Sequence, residues 1–381
     1  MSDSPMLKQI TSIPDLIRSI VPVFTENIRR ALDENTINSS DHIYLTGCGD
    51  SHHAAVASQL AFRKLTHIET EALTSMQYAR YISDSMIDPS RCLVFGASVS
   101  GEVSRTLEGF LLARKAGARA VAVTAAPTSS IGKAAHIIID STQPPFTTPE
   151  GLIVPGTRSY ISNLVSFYLI AIHIGEVKGF ITSDKADQLR KTLTWMGDAA
   201  EEIIQNNDRS AYEIAEEWKK AEEFVFPGSG PNLASAMFSA AKILEATGDA
   251  AIGQDLEEWA HLQYFAKEVS TPTIVISAGD RDMSRAVEVI TAATTIGRST
   301  ALIGPKKMGK ALTTPAIQFS IPDEVPEIFS PLVTVIPGSL IAAYKAEITH
   351  VEYFRGFQGG RSKEGGGGIS RIRTSEIMGL D

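Results

Sequence analysis

"YLTGCGDSHHAAVASQLAFRKL" at residues 44–65 and "FVFPGSGPNLASAMFSAAKILE" at residues 224–245 carry one pattern twice. Each opens on an apolar run of strand length, turns through Gly-x-Gly, and continues into an alanine- and serine-rich stretch with helical character. Gly47 and Gly49 recur as Gly228 and Gly230, an offset of 181 positions. A strand that ends in glycine and passes straight into a helix is the opening step of a parallel α/β layer. Its return half a chain later predicts two similar α/β domains related by internal duplication.

The rest of the chain keeps that alternation. "HIYLTGCG", "IETEALT", "CLVFGAS", "ARAVAVTA" and "HIIIDST" read as strands in the first half, and "EEFVFPGSG", "TPTIVISAG", "STALIG" and "AIQFSIP" in the second. Short apolar runs separated by helical stretches are parallel strands covered on both faces, so the expected fold is doubly wound and flavodoxin-like. Residues 1–40 form a leading amphipathic helical segment, 41–182 a first domain, 183–220 a polar helical connector and 221–354 a second domain. Pro144, Pro145, Pro149 and Pro155 mark a loop before the helical stretch that starts near Arg158, and Pro337 is expected to kink the helical stretch 330–351. Residues 355–381 are a tail with seven glycines between 356 and 368. So many glycines resist regular structure, which leaves a linker or a lid carrying Arg355, Arg361 and Lys363.

The net charge of −9 and a pI of about 5.5 argue against a nucleic-acid binder, which usually carries a basic field. Two cysteines, Cys48 and Cys92, lie at the ends of apolar runs and read as buried structural thiols. So few cysteines without a secretory pattern point to a reducing, cytoplasmic setting. The N-terminus lacks the apolar core of a signal peptide. The longest apolar stretch, "LVSFYLIAIHIG", is expected to be too short to span a membrane of ~20 residues' reach.

Ligands of open parallel sheets bind beyond the carboxyl ends of the strands. Two such ends in the first half carry suitable groups: Gly47-Cys48-Gly49-Asp50-Ser51 and Ser98-Val99-Ser100-Gly101. Each leads into a helix, whose first N–H groups and dipole favour negative charge. Serine hydroxyls add donors, and glycine lets the backbone approach closely. Together the turns read as a cradle for a phosphate-sized anion; the plainer alternative is serine N-capping of two helices. A dinucleotide fingerprint is a weaker fit, because His52 stands at its third glycine position although Glu69 lies about twenty residues on. Glu258 and His261 have the spacing of half a di-metal site, but its second half is missing, so neither metal nor cofactor is expected. A Gly-x-Ser-x-Gly nucleophile elbow is absent.

At these motifs the sequence resembles the two-domain sugar isomerase (SIS) family. "GCGDS", "SVSGE" and the duplicated layout over roughly residues 40–350 carry the resemblance. The members most alike are the isomerase half of glutamine–fructose-6-phosphate aminotransferase, glucosamine-6-phosphate deaminases and fructoselysine-6-phosphate deglycases. The resemblance implies a small-molecule sugar phosphate as substrate. It assigns substrate contacts to Gly49, Ser51, Ser98, Val99, Ser100, Gly101 and Thr157. It implies Glu245 as the catalytic base, His261 as the histidine of ring opening and Lys242 as a catalytic lysine one turn before Glu245. A carboxylate whose pKa is raised by burial can shuttle one proton between C1 and C2 of a sugar, and an imidazole can protonate the ring oxygen. Binding a remote phosphate fixes the reacting carbons.

Several positions depart from the family. Val99 stands where the family often has glutamine, and Val103 where it often has threonine. Glu257-Glu258-Trp259-Ala260-His261-Leu262 replaces a segment of the type Glu-Phe-Arg-His-Gly-Pro. After Lys363 there is none of the family's C-terminal lysines, and no glutaminase domain or N-terminal cysteine precedes the first sheet. Isomerisation, deamination or deglycation is therefore expected rather than glutamine-dependent transfer, in a homodimer as the family implies. The alternatives are a phosphosugar sensor without turnover and an enzyme for another anionic sugar, such as a sulfonated one.

Overall fold

The structure is a computed structural model that describes residues 4–149, 152–312 and 316–361. The chain divides into two compact units. One contains residues 16–145, 159–194 and the few described residues after 358. The other contains residues up to 15, the segment 146–158 and residues 195–358.

The first unit is built on five parallel strands: β1 His42–Gly47, β2 Glu69–Thr74, β3 Cys92–Ala97, β4 Arg119–Thr124 and β5 Ile137–Asp140, in the order β2-β1-β3-β4-β5. The three central strands are almost wholly buried, as continuous apolar runs require of a sheet covered on both faces. On one face Val94, Ala120 and Ala122 pack with Phe110, Leu107 and Tyr78. Gly96 makes this possible: a Cβ there would come within 2.5 Å of the Phe110 ring. Phe110 is wholly buried, which is worth about 2–3 kcal/mol.

The second unit repeats the design with β6 Glu223–Gly228, β7 Ala250–Asp255, β8 Thr273–Ile276, β9 Thr300–Pro305 and β10 Ile317–Ile321, in the order β10-β9-β8-β6-β7 and again all parallel. Numbered within its own half, each sheet has the flavodoxin-like order 2-1-3-4-5. The core behind β6, β8 and β9 holds Trp259, Val289, Ile290 and Ala293. Strand β7 escapes the sequence reading. Its "AAIGQD" lacks a β-branched run, and it lies at the sheet edge with alternate residues exposed. Gly253 serves the packing there, because a Cβ would collide with the backbone of Ala236 and Met237.

Two helices, Arg158–Val177 and Pro331–Thr349, are long and apolar enough to cross a membrane by length and composition. The sequence reading made the first of these too short; it has 20 residues, because the helix extends beyond the quoted apolar run on both sides. In each, 83% of the apolar window is buried inside the protein, as in a core helix. Pro331–Thr349 runs as one element through Pro337. Helix Ser183–Glu217 spans 35 residues and passes from one unit into the other. Near the described end, Phe354, Arg355 and Gly356 are left-handed, with φ of 54°, 58° and 58°, an unusual conformation for the first two. The Arg355 side chain packs over Gly248, which ends the helix Pro231–Thr247. Lys363 and the glycines of 365–368 lie outside the described residues.

Candidate active site

In the first unit, β1 and β3 are neighbours although β2 lies between them in sequence. The chain therefore reverses its winding between them, and Thr46 pairs with Gly96 just before both strands end. The turns after β1 and β3 stand side by side. After β1, Gly49 has φ 55° and ψ −127°, which a glycine adopts freely. Gly47 is required by space: a Cβ would lie 2.7 Å from the backbone of Ser51. The matching Gly230 has φ 55° and ψ −131°, so the duplication reaches the backbone angles.

The N-cap positions of the two helices, Asp50–Thr66 and Ser104–Ala116, are Gly49 and Val103. Neither side chain can accept a hydrogen bond, so serine N-capping does not explain the serines. Two of their oxygens instead accept hydrogen bonds. Asn163 Nδ2 donates to Ser51 Oγ at 3.1 Å, and the Glu102 N–H donates to Ser100 Oγ at 3.3 Å. In each case the oxygen accepts and the hydroxyl hydrogen is left to point elsewhere. Ser98 is 1% exposed, and its Oγ has no partner among the described residues. A buried hydroxyl without a partner is costly and calls for one.

The second turn is anchored from behind. Gly101 has φ 65°, and a Cβ there would collide with Ser129. Its carbonyl accepts from Ile131 N at 3.0 Å, while the Glu102 carboxylate accepts from Ser130 N at 3.1 Å and from Ser130 Oγ at 2.7 Å. Glu102 is thereby turned toward the short helix Ser130–Ala134. Val103 packs on the rim of the apolar cluster around Phe110. Burial pushes His52, beside Ser51, down to about 4, with His53 adding to the effect. The imidazole is neutral near pH 7. What the turns present is a set of N–H and O–H donors suited to an anion.

The equivalent turns of the second unit are closed. Asn232, at Ser51's duplicated position, is wholly enclosed by Ser235, Ser330 and Thr334. Pro231 removes one N–H from the helix start. Ser229 donates to Asp255 at 2.9 Å and Ser277 to Asp282 at 2.7 Å. Burial raises the Asp282 pKa, and the nearby carboxylates of Glu327 and Asp280 add to this. With hydroxyls committed to carboxylates, this half does not suit an anion.

Lys242 and Glu245 come together on helix Pro231–Thr247. Lys242 is wholly buried; its ammonium donates to Glu245 Oε2 at 2.6 Å and to the Gly156 carbonyl at 3.2 Å, and lies over the Phe238 ring. The Glu245 side chain is 28% exposed. Thr157 follows Gly156 and packs in the same unit, 1% exposed, with both its N–H and its hydroxyl donating to Gln9 Oε1. It lies in the same unit as the Glu245 helix. His261 is 65% exposed and bonds to Glu257 at 3.1 Å. Arg285, with help from His261, holds the Glu257 carboxyl below its usual range. Asn163 and Gln9 are the participants that sequence reading missed. Asn163 had a visible signal, an amide inside the apolar helix Arg158–Val177.

Residues 36–173, which hold the first sheet, match the SIS domain. Beyond that domain the chain is similar to a glutamine–fructose-6-phosphate aminotransferase of Gloeobacter violaceus, 27% identical over 352 residues that cover 90% of this chain and 55% of that protein. The enzyme of the same name from Thermococcus kodakarensis is also 27% identical, over 341 residues covering 90% of this chain and 54% of its own length. The chain thus spans about half the length of the curated relatives it matches. Among solved structures, the C-terminal domain of glucosamine-fructose-6-phosphate aminotransferase from Francisella tularensis superposes with a TM-score of 0.79 at 18% identity, covering 92% of this chain and 98% of that one. Glucosamine-6-phosphate deaminase from Thermotoga maritima gives 0.67 at 17% identity, covering 92% and 96%. At such identities the superpositions speak for the fold. Residues 36–173 thus match the SIS domain, and the chain as a whole is similar to about half the length of the aminotransferases.

Proposed function

We propose that the chain is an enzyme acting on a 6-phosphorylated ketose or amino sugar, as an isomerase, deaminase or deglycase, by proton transfer between C1 and C2. The observation that carries this reading is the Lys242–Glu245 pair, a buried ammonium 2.6 Å beneath a carboxylate that keeps partial exposure. A carboxylate so placed can take a C1 proton of an open-chain ketose while the C2 carbonyl oxygen is protonated, giving an enediol, and then return the proton to C2 as the C1 hydroxyl loses its proton and becomes the aldehyde carbonyl. On an amino sugar the same shuttle passes through an enolamine. In this reading Ser51, Ser98, Ser100 and Gly101 hold the phosphate, and the reaction needs no metal or cofactor. His261 protonates the ring oxygen during opening. Because it is exposed on its own chain, it is available to the site of a second copy, and the active form is a homodimer.

The test is to incubate the protein in heavy water with a panel of 6-phosphosugars and their amine adducts, and to follow deuterium entry at C1 and C2 by NMR. Exchange that requires Glu245 supports the reading. Exchange undiminished in Glu245→Gln removes the assigned base. The second reading is a phosphosugar sensor, favoured by the apolar Val99 and Val103 in the anion turn; it predicts binding across the panel without exchange at either carbon.

A further inference from the structure

We propose that Asn163 is a positioning residue that fixes the direction of the Ser51 hydroxyl, making Ser51 a dedicated donor to the bound anion. The inference rests on the reading of the first unit's turns as an anion site. Asn163 is 1% exposed on helix Arg158–Val177, and its Nδ2 donates to Ser51 Oγ at 3.1 Å. A serine hydroxyl can donate once and accept twice. With an amide N–H on the oxygen, its hydrogen is turned away from the amide.

Two observations separate this from ordinary packing. Asn163 Oδ1 is buried without a partner among the described residues, an arrangement that works against stability. An apolar side chain of similar size would avoid that cost, so the amide is poorly explained as a core residue. The same polarity recurs at the second turn, where the Glu102 N–H occupies Ser100 Oγ. Two turns on different strands have thus had a serine oxygen occupied by an N–H donor. In the duplicated half Ser277 Oγ likewise accepts from the Gly279 N–H, but there the hydroxyl hydrogen goes to Asp282, as that of Ser229 goes to Asp255.

The experiment measures the affinity of the intact protein for inorganic phosphate and for fructose 6-phosphate by titration calorimetry. The variants are Asn163→Leu, Asn163→Asp, Ser51→Ala and the double variant Ser51→Ala/Asn163→Leu, each checked for native unfolding behaviour. Asn163→Asp is the second route should leucine disturb the fold: it keeps the shape, but its carboxylate accepts the Ser51 hydrogen. We expect about a tenfold loss for Asn163→Leu, a larger one for Asn163→Asp, and no further loss on adding Asn163→Leu to Ser51→Ala. A purely structural role would give the same loss in both backgrounds. Folded Asn163 variants that bind like the parent, or a loss persisting in the Ser51→Ala background, would overturn the inference alone. An unaltered protein that binds neither probe would overturn the anion site itself, and this inference with it.

Discussion

Lys242 Nζ lies 2.6 Å from Glu245 Oε2 and 3.2 Å from the carbonyl oxygen of Gly156, so one buried ammonium holds both the carboxylate and the strap that carries Thr157. The two side chains share one helix face at a spacing of three residues, where they meet naturally. Burial makes the arrangement more than a surface ion pair, because Lys242 has no water to fall back on.

Glu245→Gln keeps the shape and a hydrogen-bond acceptor for Lys242 but removes the proton acceptor. Deuterium exchange at C1 and C2 should fall by roughly 10²- to 10⁴-fold while thermal unfolding moves little. Lys242→Met should behave differently. It frees the Gly156 carbonyl and strips Glu245 of its buried cation, so stability should fall by about 1–3 kcal/mol along with exchange. Urea unfolding of the two variants side by side distinguishes them.

Gly101→Ala should damage the anion turn for two separate reasons. The backbone there has φ 65°, costing about 1 kcal/mol for a residue with a Cβ, and the new methyl would strike Ser129. Removing the second obstacle with Ser129→Gly should restore stability only in part, since the dihedral strain persists. Phosphate affinity and melting temperature of the single and double variants check both contributions.

Acid should weaken the protein through His52. Its folded pKa is about 4 against 6.5 for the free side chain, because burial disfavours the charged form. The unfolded chain therefore binds more protons between these values, and stability falls as pH drops from about 6.5 toward 4. The full effect is at most about 3 kcal/mol, reduced by the partial exposure of the ring. His173 is shifted the same way by burial, so His52→Gln should flatten the slope without abolishing it. Denaturant unfolding at a series of pH values measures the slope.

Lys345→Met should destabilise the second unit by roughly 2 kcal/mol. Lys345 is 2% exposed; it donates to the carbonyls of Trp218 and Lys219 just past helix Ser183–Glu217, and lies 3.2 Å from Asp249. If the ion pair matters as much as the carbonyls, Asp249→Asn should add little in the Lys345→Met background. Urea unfolding of the three proteins decides this.

What the sequence made legible was what recurs. The Gly-x-Gly turns stand 181 positions apart and share their dihedral angles, because only glycine reaches that backbone region without strain. The central strands were legible because double-sided burial leaves an unbroken apolar run. Strand β7 was not, since an edge strand packed closely at Gly253 needs small residues instead of branched ones. Ser51 could be picked out beside its glycines, whereas Asn163 lies 112 residues away and is joined to it only by the fold. His261 came from the family resemblance; its exposure and its bond to Glu257 are set by the short helix Leu256–His261, whose facing the sequence does not reveal. The strap that bears Thr157 is tied to Gln9 and Lys242 by hydrogen bonds that no sequence pattern announces.

The interleaving of the two units has a practical consequence for dissecting the protein. Residues up to 15 and the strap 146–158 belong with the second sheet, although the first sheet's strands lie between them in sequence. A single cut near residue 182 or 220 therefore releases no complete half. The downstream fragment would lack Gly156 and Gln9, and with them the partners of Lys242 and Thr157. Halves made in this way and mixed should regain the Lys242–Gly156 contact only if the upstream fragment delivers its strap, which makes reassembly from fragments a readout of the strap itself.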